Sequence, residues 1–182
     1  MTDTGTIPGN KTELMAYNEK QWQAFVESTD GLTETEWTVP VDAKGWSVKD
    51  HVMCVVSWTR AEIALLQFGT TLRESQGMSE VLWNTWDFDQ WNEHVRQRWL
   101  NDSPAVVRAE RDRVYQKLVE VYSGLADEDF ARPATDFGFS WEEGKTLLTA
   151  LTTDHGDHFE EHRGYIGIIA RRDSVEKQHF SL

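Results

Sequence analysis

A single helical stripe near the C-terminus constrains this chain more than any other feature. At a helical period, positions 148, 151, 155, 158, 162, 165 and 169 share one face. They carry Leu148, Leu151, His155, His158, His162, Tyr165 and Ile169. The stripe is apolar at both ends and imidazole in the middle, so it should turn toward a core. Buried polar groups cost about 1–3 kcal/mol each unless they find partners. The histidines therefore require either a metal or a set of carboxylates supplied by other elements.

Those elements can be read from caps and periodicity. A first helix is expected from about Lys11 to Ser28, with Leu14, Tyr17, Gln21 and Phe25 on one stripe, Trp22 beside it, and Gly31 as a left-handed stop. Residues 32–37 read as one short helical turn. A second helix starts at Ser47, with Asp50 three residues on in the manner of a capping box, and ends at Phe68 before Gly69. It is apolar nearly all round and hence central, and His51, Cys54, Thr59 and Glu62 are its polar interior residues. Residues 70–102 hold Trp83, Trp86, Phe88, Trp91 and Trp99 on short amphipathic pieces, the best from Asp89 to Leu100. This segment suits either packing, the reading aromatic clusters usually deserve, or a lid across a cleft. Ser103-Pro104 opens a third helix whose stripe is Val107, Val114, Leu118 and Val121, ending at Gly124. The fourth is expected from Trp141 or Glu142 to Arg171, with Gly156 and Gly167 on one face for close approach of a neighbour. The result is an all-α fold, a four-helix bundle with short additional helices. Its expected domain covers 11–171, between a frayed leader at 1–10 and a tail at 172–182.

Bulk properties exclude some functions. With 182 residues the chain can bury one full core. A net charge of -13 and a pI near 4.8 argue against nucleic acid and anionic membrane as partners. No apolar run reaches the ~20 residues of a membrane span. A single cysteine and no secretory signal fit a cytoplasmic location. Nine tryptophans read first as packing anchors and second as the lining of a ligand cleft.

The site follows from the histidines. His158 and His162 are i, i+4, so both rings can reach one cation. The alternative is a metal-free network in which Glu62 or Asp154 accepts from imidazole. A third ligand has to come from another helix, and His51 and Cys54 are the nitrogen and sulfur donors on the second helix. A thiolate with two imidazoles favours zinc over harder cations.

The run Gly45-Trp46-Ser47-Val48-Lys49-Asp50-His51-Val52-Met53-Cys54-Val55-Val56-Ser57-Trp58, with His158-Phe159-Glu160-Glu161-His162-Arg163 much later, resembles the DinB-like superfamily over residues 11–171. Phe88-Asp89-Gln90-Trp91-Asn92 and the Ser103-Pro104 helix resemble its ClbS/DfsB branch and the N-terminal domain of mycothiol-dependent maleylpyruvate isomerase. The resemblance implies a metal held by one histidine on the second helix and a His-x-x-x-His pair on the fourth. His158 and His162 match the pair. The second-helix histidine falls at position 54, where this chain has Cys54, and His51 one turn earlier matches a family position that is not the usual ligand.

The resemblance further implies self-protection chemistry or thiol-dependent transfer on a small electrophilic molecule, and a possible homodimer. The expected cofactors are a divalent transition metal, zinc or nickel, and a low-molecular-weight thiol. In the enzyme reading Glu62 and Tyr165 assist catalysis, His158, His162, Cys54 and His51 are the metal set, and Trp58, His155 and Trp91 face the substrate. In the other reading the same cleft sequesters a small molecule without turnover over a metal-free histidine network.

Overall fold

A computed structural model describes residues 7–167, and of 154–156 the backbone alone. Four long helical segments form the bundle: α1 (Lys11–Thr29), α3 (Val48–Phe68), α7 (Pro104–Gly124) and a final segment opened by α8 (Leu147–Leu151). Shorter helices fill the connections: α2 (Glu34–Thr38), α4 (Leu72–Ser75), α5 (Glu80–Trp83) and α6 (Phe88–Arg98). Among the described residues there is no strand, only isolated bridges at Pro40–Ser47 and Pro133–Thr146. The expected tail at 172–182 and the leader's first six residues lie outside the described part.

α3 is the central element because both its ends are capped and most of its circumference is buried, with Arg60 and the final Gln67 and Phe68 left exposed. Ser47 and Asp50 form the expected reciprocal cap, and Gly69 closes the helix in the left-handed region at φ 67°. His51, Cys54, Thr59 and Glu62 are all buried on it. Near its start the buried Lys49 donates to the carbonyls of Trp99, Leu100 and Asp102, fastening α3 to the connection between α6 and α7. α7 packs along α3 with its expected stripe inward.

α1 differs from expectation in its face. The buried line is Leu14, Asn18, Trp22, Phe25 and Thr29, while Tyr17 and Gln21 sit at its edge. Trp22 takes the inner position because its ring stacks on Tyr115 of α7 at 4.3 Å and meets Phe159 at 5.7 Å.

The fourth helix departs most. It begins at Leu147, capped by the Thr146 side chain, and not at Trp141 or Glu142. Residues 142–145 instead make a turn in which Lys145 N–H bonds to the Glu142 carbonyl and Gly144 has φ 79°. Thr152–Asp157 then form a π-helical turn, which inserts one residue relative to an α-helix, and residues 158–167 continue as α-helix. Continuing from Leu147 and Leu151 at an α period would bury positions 158, 162 and 165. The buried residues are Phe159, His162 and Ile166. The core line moves one residue along at 159 and 166 while His162 stays on it, so His158 is half-buried and Tyr165 is 38% exposed. The expected shared glycine face is lost with the register: a Cβ on Gly167 would meet nothing within 4 Å. Arg171 and Ile169, the expected end of the helix and of its stripe, lie outside the described residues.

Close approach is required elsewhere. Gly138, at φ 93°, ends a 3-10 turn, and a Cβ there would come within 2.5 Å of Leu65 Cδ1.

Candidate functional site

Of segment 72–98, Leu72 packs against the main core, and the rest gathers around a centre of its own. Met78, Trp91 and Val95 form a separate small cluster with Trp58, Leu82, Trp83 and Trp99 packed on it. Between this segment, α3 and the final helix lies a cavity of about 880 Å³. The aromatic residues that read first as packing are therefore also a cavity wall, with Trp58, Trp83, Trp86 and Trp91 among the lining side chains. Trp58 donates to Asn92 Oδ1 at 2.8 Å and Trp91 to the Leu82 carbonyl at 2.8 Å, so both indoles are held by their N–H groups.

The histidines line the same cavity. His162 Nδ1 lies 2.9 Å from His51 Nδ1, and His162 Nε2 lies 2.9 Å from His158 Nε2. Each contact needs one N–H and one lone pair, and a neutral imidazole has one of each. The chain of contacts therefore has a direction, and Asp42 selects it. Its Oδ2 lies 3.4 Å from His51 Nε2, at ion-pair distance but without hydrogen-bond alignment. A lone pair on His51 Nε2 would face that carboxylate and be repelled, so the His51 proton belongs on Nε2. His162 then donates from Nδ1 to His51, and His158 donates from Nε2 to His162. Asp42 is held in place by its own loop, because Oδ1 accepts from the backbone N–H groups of Lys44 and Trp46 at 2.9 Å. The Tyr165 ring stacks on His51 at 4.9 Å and 9°, with Trp46 tilted against it at 5.4 Å.

Burial favours the neutral form of His162 and His51. Burial pushes the His162 pKa well below its ordinary value, and the adjacent His158 and His51 add to the effect. Burial also lowers His51, opposed by Asp42 and Asp50. The Cys54 thiol, fully buried on α3, is pushed upward by burial and further by Glu161.

Three donor groups converge. One ligand atom each from Cys54, His158 and His162 all lie within 4.8 Å of one another. Of the four residues expected to hold a metal, His51 stands apart from this group and contacts His162 from behind. Glu62 reaches the cavity wall, where its Oε1 accepts from Tyr122 O–H at 2.5 Å. Tyr165 also lines the cavity. Trp58 and Trp91 are in the lining, while the side chain of His155, like that of Asp154, lies outside the described residues. Sequence reasoning missed Asp42. It lies in a loop with no periodicity, and its one local signal is an Asp placed to bond the N–H two residues on, a turn pattern.

Comparison with solved structures places the fold among known proteins. An uncharacterised protein from Clostridium difficile 630 aligns with TM-score 0.70 at 16% identity, over 91% of this chain and 98% of that one. An uncharacterised protein from Escherichia coli UTI89 gives 0.69 at 13%, over 92% and 96%. The colibactin self-resistance protein ClbS, solved in complex with a double-stranded DNA, gives 0.68 at 14%, over 89% and 96%. At such identities the likeness is one of fold. Among curated proteins no match is found. A family profile, however, matches residues 17–162, from within α1 to the second histidine of the pair, and by that match the chain belongs to the DinB superfamily.

Proposed function

We propose that the cavity is a small-molecule site in which Cys54, His158 and His162 hold a divalent transition metal, zinc first and nickel second. The carrying observation is the convergence of one sulfur and two imidazole donors within 4.8 Å. A soft thiolate with two nitrogens suits zinc in both ligand type and number, leaving a position for an exogenous group. The donors fit chemically as well. A thiol whose pKa is raised by burial ionises readily only beside a cation. Such an ion, when bound, lowers the pKa of a coordinated thiol or water.

The remaining roles belong to the chain's own side chains. For the metal His158 must carry its proton on Nδ1, whereas Asp42 and His51 already fix His162 with its Nε2 lone pair toward the site. This is the outer-shell orientation that tunes metal-bound histidines. Glu62, on the same cavity wall, is placed to receive the proton of a nucleophile. Tyr165 can donate to negative charge developing on an electrophilic substrate. The reaction class is attack of a low-molecular-weight thiol or water on a small electrophile, in a detoxifying role that the fold likeness to a self-resistance protein supports.

Full-length protein purified without a tag should contain near-stoichiometric zinc or take it up. His158→Ala should weaken zinc by more than the roughly 10- to 100-fold that outer-shell losses cost, and His51→Ala by about that range. Cys54→His, which restores the family residue, should keep the metal. Turnover of thiol and electrophile pairs, strained rings included, should disappear in His158→Ala. Zinc content near zero after supplementation would refute the metal assignment.

One observation favours a second reading. The contacts His51–His162–His158 are mutually satisfied with one proton each and need no ion. In that case the cavity sequesters its ligand. Stoichiometric binding unchanged by chelators, with no product formed, would identify this alternative.

A further inference from the structure

The wall opposite the histidines has a chemistry of its own. Trp83 and Trp91 stack at 4.3 Å and 4°, and Trp86 and Phe88 close on Trp91 at 5.6 and 4.9 Å. Trp86 sits at φ 50°, the one positive φ outside glycine among the described residues. It follows α5 at a place where glycine would be unstrained, and it leaves its indole 58% exposed at the cavity rim. Strain held in a bulky residue that leaves more than half of its surface exposed points to a role in binding.

The polar lining is one-sided. Among the described residues Asp42, Glu62, Asp89, Glu93, Asp157 and Glu161 contribute carboxyl groups to the lining, against Lys44 as the sole lysine or arginine. Lys44 is committed to Asp89 at 2.5 Å. Glu93 is matched by Arg96 and Asp157 accepts from Tyr17. Glu161 has no ion pair among the described residues, and it stands beside the histidine pair on the cavity side. Aromatic faces attract cations, and the attraction grows when water is partly excluded and carboxylates lie near.

We infer that the cavity takes an organic cation: a flat or quaternised nitrogen compound whose charge lies between the tryptophan wall and Glu161. This rests on the cavity being the small-molecule site proposed above and names the class of ligand. Neutral molecules of the same shape keep ring stacking but lose the cation–ring and carboxylate attraction, and anionic ones are repelled by the carboxylates.

Isothermal titration calorimetry of the full chain at pH 8 provides the test. The probes are N-methylacridinium, neutral acridine and acridine-9-carboxylate. The cation should bind at least about tenfold tighter than acridine, and the carboxylate weakest. Trp86→Gly keeps the net charge and relieves the strain. It should weaken the cation about fivefold while its melting temperature stays within about 3 °C of the parent. Glu161→Gln should lower the cation's advantage over acridine and leave acridine itself unchanged.

Equal or tighter binding of acridine or its carboxylate, no binding of any probe, or a cation affinity indifferent to Trp86→Gly would overturn the inference. Zinc uptake and turnover of uncharged electrophiles would survive that outcome. Conversely, cation binding that persists in His158→Ala would survive loss of the metal assignment.

Discussion

His162 is the residue at which burial, contact and charge meet. Its two nitrogens are engaged by His51 and His158, and its folded pKa lies well below the ordinary histidine value because it is buried. His51 is shifted in the same direction. The unfolded chain therefore binds more protons than the folded one once pH falls below the ordinary value of about 6.5. Stability supplied by the neutral rings is present above that pH. It is lost as pH falls, by up to about 1.4 kcal/mol per pH unit for each such group. Urea unfolding of chelator-treated protein should show this slope between pH 7 and 5.5, ahead of general carboxylate protonation. A His162→Gln variant, less stable at pH 7, should show a flatter one. Parallel slopes for parent and variant would contradict the argument.

Among the elements, α3 and the π turn do most to position the site. Lys49 binds α3 to the end of the aromatic segment through three carbonyls, at 3.2, 2.6 and 3.1 Å. Lys49→Met keeps the packing stem and removes the donors, so it should cost about 1.5–3 kcal/mol, the range for bonds to charged groups. Amide hydrogen exchange should accelerate around residues 99–102, with little change in α7. Unaltered exchange there would mean that the lysine is not the fastening. Gly138 tests a different contact. Gly138→Ala meets both a positive φ and the Leu65 side chain at 2.5 Å, and should destabilise by about 1–3 kcal/mol. A stability equal to the parent's would show that Leu65 and the turn yield without cost.

At the scale of the whole molecule, net charge sets the partners within reach. A formal charge of -13 gives an average field that disfavours a polyanion. A structural neighbour, ClbS, was solved with double-stranded DNA, and a shared fold does not carry that surface to a chain of 14% identity. Fluorescence anisotropy with a labelled duplex should register no salt-sensitive binding at physiological ionic strength. Saturable binding that weakens steeply with salt would prove the charge argument wrong. No described helix is long and apolar enough to cross a membrane.

Local physics made much of this protein legible in its sequence. Ser47 with Asp50, Gly69, and Ser103 with Pro104 mark helix ends because capping is settled within a few residues. The extensive burial of α3 and the pairing of His158 with His162 follow equally from short-range periodicity. Tertiary structure alone decided the rest. The π turn shifted the core line from 158 and 165 to Phe159 and Ile166, and in that register Phe159 packs against Trp22 and Phe25 of α1. Asp42 meets His51, and Cys54 meets the histidine pair, across loops and helices whose approach no periodicity encodes. The aromatic segment became a cavity wall because its small cluster closes mainly on itself and on Trp58, with Leu72 and Trp99 as its contacts to the bundle core. Spacing along one helix specifies which side chains share a face, whereas the partner that a face meets depends on the packing of every other element.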